Sequence, residues 1–149
     1  MARKRVIDPS FFTDGELWEA LADWGLLFYI GLWTEAEDSG CFESHPSTLK
    51  NRILPGRPDV KPADVAKALK VLVDLGKIEP YEVATPNGKA KKFYWLVNFG
   101  KHQRIDYPTP PKIPLPDWMN WHGEAEFAEG EKGTKDYKPN RRKWHYEVV

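Results

Sequence analysis

The sequence predicts an α+β fold in which helices come first and a β-hairpin follows them. Two observations carry this prediction. A capped, amphipathic helix begins at Pro62, and two short strands of alternating apolar residues follow it around Pro86-Asn87-Gly88. At 149 residues, with 41% apolar and 13% aromatic side chains, the chain can bury a core of its own. We therefore expect one small domain with a C-terminal extension.

The N-terminal part is predicted to pass from extended chain into helix. Ile7–Phe12 is apolar and broken by a proline, which favours an extended lead-in. Thr13 or Asp14 can cap a short helix, because a side-chain oxygen there accepts a free N–H group of the first turn. Asp23 repeats this signal before a longer helix, Trp24–Ala36, whose apolar spacing predicts burial over most of its circumference.

Two further helices have clear ends. One is predicted over His45–Ile53, and Leu54-Pro55-Gly56 stops it. The next starts at Pro62, since proline suits the first helical position, and ends at Gly76, since a left-handed C-cap costs glycine little. Together with Trp24–Ala36, these are the three main helices expected before the hairpin.

The hairpin completes the predicted fold. Its strands are expected over Ile78–Val83 and Phe93–Val97, and Cys41-Phe42 can add a third, very short strand. Three helices followed by a two- to three-stranded β-wing is the order of a winged helix-turn-helix, in which the last helix can enter a major groove.

The remaining sequence divides into a linker and a tail. Residues 1–105 form the predicted winged-helix domain, and residues 106–116 a proline-rich linker whose five prolines exclude helix. Residues 117–149 show no sustained period but carry many aromatic side chains, so we expect partial order through packing on the body or on a partner.

Charge is unevenly distributed on a chain whose formal net charge is zero. Asp59–Ile105 holds nine basic and five acidic side chains, whereas the segments before and after it are slightly acidic. A local basic excess attracts phosphate, because the field near a surface is set by charges within about 10 Å at moderate salt. The predicted contacts to double-stranded DNA from the third helix and the wing are Lys61, Lys67, Lys70, Lys89, Lys91 and Lys92.

Other interpretations of these residues stay open. Lysines on a helix can simply solvate it, and those at a hairpin tip can protect an exposed strand edge. Arg3-Lys4-Arg5 can be a DNA-binding arm or a frayed terminus. Single-strand stacking is a further use of the wing aromatics, although alternate core packing accounts for at least half of them. These aromatics are Tyr81, Phe93, Tyr94 and Trp95.

Several function classes are not expected. Cys41 is the single cysteine, which excludes an intrachain disulfide and favours a reducing, cytoplasmic location. The apolar run Trp24–Trp33 is about half of a bilayer span, so no membrane association is expected. The histidines are widely spaced in sequence, and no nucleophile or phosphate-binding loop is recognisable. We therefore expect no metal, no cofactor and no enzymatic activity.

Three stretches of the chain form recognisable motifs: Arg5–Phe11, Leu26–Trp33 running on to Asp38-Ser39-Gly40, and Lys101–Pro114, the last being the most specific. Together they resemble the N-terminal winged-helix domain of phage replisome-organiser proteins, which are related to the helicase-loading component of the bacterial primosome. The resemblance implies origin binding and assembly with replication proteins such as a helicase or its loader, with possible homo-oligomers. We expect no counterpart of the long helical C-terminal domain of such initiators in the short aromatic and charged tail. Because they follow the wing closely, Lys101, His102 and Arg104 are predicted either to contact phosphates or to form a hinge into the proline segment.

The sequence thus predicts a phage-type DNA-binding protein in replication initiation or its regulation. The alternative is a protein-interaction scaffold or a transcriptional regulator that uses the winged helix and the tail to dock a partner, since fold does not fix function.

Overall fold

The computed structural model describes residues 2–21 and 23–149, and the fold is mixed α+β. The N-terminal elements are α1 Ser10–Thr13, α2 Gly15–Ala20, α3 Trp24–Glu35, β1 Cys41–Glu43, α4 Pro46–Ile53 and α5 Pro62–Asp74. They are followed by β2 Ile78–Ala84, β3 Ala90–Leu96, α6 Phe99–His102, β4 Met119–His122 and α7 Glu124–Phe127. The chain ends with β5 Ala128–Glu129, β6 Lys138–Pro139, a 3-10 turn Arg141–Lys143 and β7 His145–Val148.

Helix α5 forms as its sequence predicts. Pro62 occupies the first turn, and the Asp64 carboxylate accepts a hydrogen bond of 2.9 Å from the Lys61 backbone N–H. Val65, Leu69 and Leu72 lie on one face and are fully buried, each stabilising the fold by roughly 1.5–3 kcal/mol relative to exposure. Gly76 follows the helix at φ +71°, the left-handed conformation expected of a C-terminal glycine.

The central sheet is antiparallel, with strand order β1-β3-β2. Strand β3 pairs with β1 through Cys41 and Trp95, and with β2 through Ile78 and Leu96. Because side chains alternate across a strand, each face of this sheet builds a separate core.

One sheet face packs on the helices and the other on the C-terminal segment. Phe42, Tyr94 and Leu96 join the large helical core. Trp95 and Met119 belong to a second core, in which the tail covers the outer face of the sheet. The remaining buried members of this second core are Cys41, Tyr81 and Phe93. The sheet therefore lies between a helical layer and a layer formed by residues 113–146.

Two acidic residues after α3 attach the proline segment to the body. The Glu37 carboxylate accepts the backbone N–H groups of Lys112 at 3.0 Å and Ile113 at 2.8 Å. The Asp38 carboxylate accepts the backbone N–H of Thr109 at 2.9 Å, and the Thr109 carbonyl accepts the Tyr146 hydroxyl at 2.6 Å. The segment after residue 106 consequently follows a defined path along the domain.

Two local predictions for the N-terminal part are wrong. Ser10–Thr13 forms one helical turn instead of an extended lead-in, because Phe11 turns inward and packs on Tyr29 and Trp33. Asp23 adopts φ +57° and its side chain does not cap α3. The Asp14 cap, by contrast, is confirmed by a 3.2 Å hydrogen bond from Leu17 N–H.

The C-terminal segment also contains strand pairing that no periodic pattern in the sequence predicts. Strands β4 and β7 pair antiparallel, with Trp121 opposite Tyr146, although 22 residues separate these strands in the chain. Within residues 2–21 and 23–149, no helix has the length and apolar character needed to cross a membrane.

Candidate nucleic-acid interface

A groove of about 470 Å³ runs between α5, the β2–β3 hairpin and the start of α4. Lys70 from α5 and Lys92 from β3 both line it. The other lining residues are Ser44, Pro46, Ala66, Leu69, Val73, Pro80 and Tyr94. The floor is thus largely apolar, and two cations from consecutive elements stand along its walls.

The periodicity of the helix and of the strand sets the direction in which each lysine side chain points. Leu69 and Leu72 turn into the core, so Lys70, between them in sequence, is directed outward from α5. Lys92 shares a sheet face with Tyr94, and its Nζ lies 5.0 Å from the centre of that ring. Among the residues that the structure describes, neither ammonium has a carboxylate within 4.0 Å. Their charge is therefore available to an external anion.

The start of α4 opens on the same groove through Ser44 and Pro46. The residue that precedes this helix, His45, is in extended conformation, and its side chain makes no capping hydrogen bond. Free N–H groups in a first turn carry partial positive charge and attract anions. Sequence reasoning missed this contribution, although a proline at the first helical position without a capping side chain is visible in the sequence.

Nearby carboxylates modulate the positive potential. Glu82 stands directly opposite Lys92 in the β2–β3 register and is exposed. Asp74 is also exposed near the end of α5. The Asp64 carboxylate accepts a hydrogen bond from the Lys61 backbone N–H at the start of the helix. The groove is consequently basic but not strongly so.

The other predicted wing and helix lysines do not join Lys70 and Lys92 in the groove. Lys91 lies on the opposite sheet face, with its Nζ 4.0 Å from Glu43 and 5.1 Å from the Phe93 ring centre. Lys89 is exposed in the turn, and Lys61 is exposed just before α5. Lys67 borders a separate depression with Trp24.

The three phosphate contacts predicted after the wing also lie outside the groove. The Nδ1 of His102 is 3.5 Å from the Asp8 carboxylate. Arg104 is 86% exposed and lies 3.5 Å from Asp106. Lys101 is exposed on the short helix α6. None of the three lines the groove between α5 and the hairpin.

The basic N-terminus is neither a free arm nor a frayed end at Arg5. Its guanidinium donates to the Trp33 carbonyl at 3.0 Å and to the Ala36 carbonyl at 2.9 Å, and it pairs with Asp38 at 3.0 Å. Arg3 donates to the Ala36 carbonyl at 3.1 Å. These arginines satisfy the free carbonyls at the end of α3, where a cation is also favoured by the helix dipole.

The aromatic side chains of the wing are core residues. Tyr81, Phe93 and Trp95 are buried beneath the C-terminal segment, and Tyr94 is stacked on Phe42. The buried rings of Tyr81, Phe93 and Trp95 therefore offer no face on which a base could stack. The Cys41 thiol is also fully buried, and burial raises its pKa, which removes it as a nucleophile.

Comparison of the chain with protein-family models, with curated proteins and with solved structures found no match.

Proposed function

We propose that this protein is a winged helix-turn-helix that binds double-stranded DNA through the groove between α5 and the hairpin, as part of replication initiation or its regulation. The single observation that carries the proposal is the convergence of Lys70 and Lys92 on one groove. Lys67 and Lys89 would contact phosphates beside this surface.

The order of elements supports the winged-helix interpretation. Helices α3, α4 and α5 precede the β2–β3 hairpin, and β1 adds a third strand on the far side of β3. In this arrangement α4 and α5 form the helix-turn-helix, α5 enters the major groove, which is about 12 Å wide, and the hairpin reaches the adjacent backbone.

The charges at the groove favour phosphate contact over base recognition. Lysine ammonium groups bind phosphate as point charges, and the start of α4 adds backbone N–H donors. The replication role itself rests on the resemblance of the three stretches to replisome organisers, and it implies a helicase or its loader as a further partner.

Fluorescence anisotropy with a labelled duplex tests the binding proposal. Lys70→Gln/Lys92→Gln should weaken binding, and Glu82→Gln should strengthen it, because the first variant removes positive charge from the groove and the second removes negative charge. Lys132→Gln/Lys135→Gln is the matched control, since both lysines are exposed in the tail. Equal affinity of the groove and control variants would contradict the proposal.

A selection from a random duplex pool tests the initiator role. An origin-binding protein should enrich a defined sequence over successive rounds. If the protein retains duplex but no sequence is enriched, the binding is independent of sequence. That result would contradict recognition of an origin.

A further inference from the structure

The tail brings two histidines together that are 23 positions apart in sequence. His122 at the end of β4 stands directly opposite His145 at the start of β7, and their ring centres are 4.8 Å apart. Two positions along the register, Asn120 stands opposite Glu147. Alternation puts Glu147 on the same face, and its carboxylate lies 2.8 Å from Nε2 of His122.

Both imidazoles are oriented through their other ring nitrogen. The Nδ1 of His122 is 3.0 Å from the Glu126 carboxylate, and the Nδ1 of His145 is 2.8 Å from the Lys143 carbonyl oxygen. Each acceptor favours a proton on Nδ1 and leaves Nε2 of each ring as the atom that would bind a metal. For His122 the metal would take the place of the hydrogen bond between Nε2 and the Glu147 carboxylate. A carboxylate or a backbone carbonyl on the second ring nitrogen is the usual support of a metal-binding histidine.

We propose that His122, His145 and Glu147 bind one divalent transition-metal ion, with Zn²⁺ the best match. One ligand atom from each residue lies within 4.8 Å of the other two. Ligand atoms on a tetrahedral zinc are about 3.3 Å apart at bond lengths of about 2.0 Å, so small side-chain rotations complete the site. Two imidazoles and one carboxylate favour zinc over Mg²⁺ or Ca²⁺, which prefer oxygen ligands.

The ion would join the two ends of the tail. His122 and His145 belong to strands that bracket residues 123–144, and a metal held by both strands closes this loop in the folded state. Glu126 would act as a positioning residue through His122. This inference is independent of DNA binding, because none of these residues lines the groove at α5.

Zinc titration of the 149-residue chain against a chromophoric chelator tests the site. The wild type should bind one equivalent, and His122→Asn/His145→Asn should bind at least 100-fold more weakly. Glu126→Gln should weaken binding by about 10- to 100-fold, as expected for loss of a carboxylate that orients a ligand. His45→Asn is the matched control, because His45 is exposed at the start of α4, and it should bind like the wild type.

Co²⁺ absorption gives a second readout that does not depend on the variants. The wild type should show the visible bands of tetrahedral coordination, with an intensity that saturates at one equivalent. The competing state of the same residues is an imidazolium held between Glu126 and Glu147 with no metal. Failure of the wild type to compete with the chelator, or equal affinity of the double variant and the wild type, would overturn the proposal.

Discussion

The ion pair between Arg5 and Asp38 is expected to be one of the most sensitive points of the fold. The two side chains are only 7% and 8% exposed, and their closest atoms are 3.0 Å apart. Arg5 also binds two carbonyls at the end of α3. Asp38 holds Thr109 through both the backbone N–H and the hydroxyl. The pair therefore connects the N-terminus, α3 and the proline segment.

Arg5→Met should lower the free energy of unfolding by about 3–5 kcal/mol. The substitution keeps an apolar stem of similar length but leaves the buried Asp38 carboxylate without its cation, and breaking one side of a buried pair costs this much. For a domain of this size such a loss corresponds to a fall in Tm of roughly 10 °C.

Urea unfolding followed by circular dichroism measures this loss. Lys4→Met is the matched control, because Lys4 is the exposed neighbour of Arg5, and it should change stability by no more than about 0.5 kcal/mol. A loss of less than about 1 kcal/mol in Arg5→Met, or the same loss in both variants, would refute the assigned role of the pair.

The same pair predicts an acid-dependent loss of stability. Burial alone would raise the pKa of Asp38, but hydrogen bonds from Thr109 and Arg5 outweigh burial and hold this pKa below its ordinary value of 3.8. A carboxyl whose pKa is lowered on folding contributes stability above its unfolded pKa and loses it as the pH falls through the folded pKa. Unfolding measured below pH 3.8 should therefore show a smaller decline in Asp38→Asn, and an unchanged decline would contradict this origin.

Two further predictions concern single buried positions. Gly40→Ala should destabilise the protein more than Gly76→Ala. Both glycines have positive φ, so both substitutions strain the backbone. A Cβ at Gly40 would in addition lie 2.9 Å from the Phe99 Cβ, whereas a Cβ at Gly76 meets nothing within 4 Å. Equal losses in urea unfolding would contradict the close approach at Gly40. Cys41 should resist a thiol reagent in the native protein and react in denaturant, because the side chain is fully buried and burial raises the pKa of its thiol. Fast labelling of the native chain would contradict this prediction and show that the second core opens.

Local signals account for what the sequence predicts well. The ends of α5 follow from Pro62 and Gly76, and the hairpin turn follows from Asn87-Gly88, because caps and turns depend on a few adjacent residues. The placement of Lys91 and Lys92 on opposite faces of the sheet could also be predicted, since consecutive strand residues point to opposite sides.

Long-range pairing accounts for what the sequence does not predict. Nothing local to Arg5 indicates that its partner is Asp38, 33 positions away. The pairing of His122 with His145 depends in the same way on the register of β4 with β7, which no alternating pattern specifies. The sequence therefore locates candidate cations more reliably than it groups them into a site.

The salt dependence of duplex affinity tests the central claim most directly. If Lys70 and Lys92 each neutralise one phosphate, log–log plots of affinity against salt should be steep for the wild type, and Lys70→Gln/Lys92→Gln should reduce the slope by about 1.8, at about 0.9 per contact on duplex DNA. The tail control Lys132→Gln/Lys135→Gln should retain the wild-type slope. A slope that is identical in the groove variant and the wild type would contradict the claim that these two lysines grip the DNA backbone.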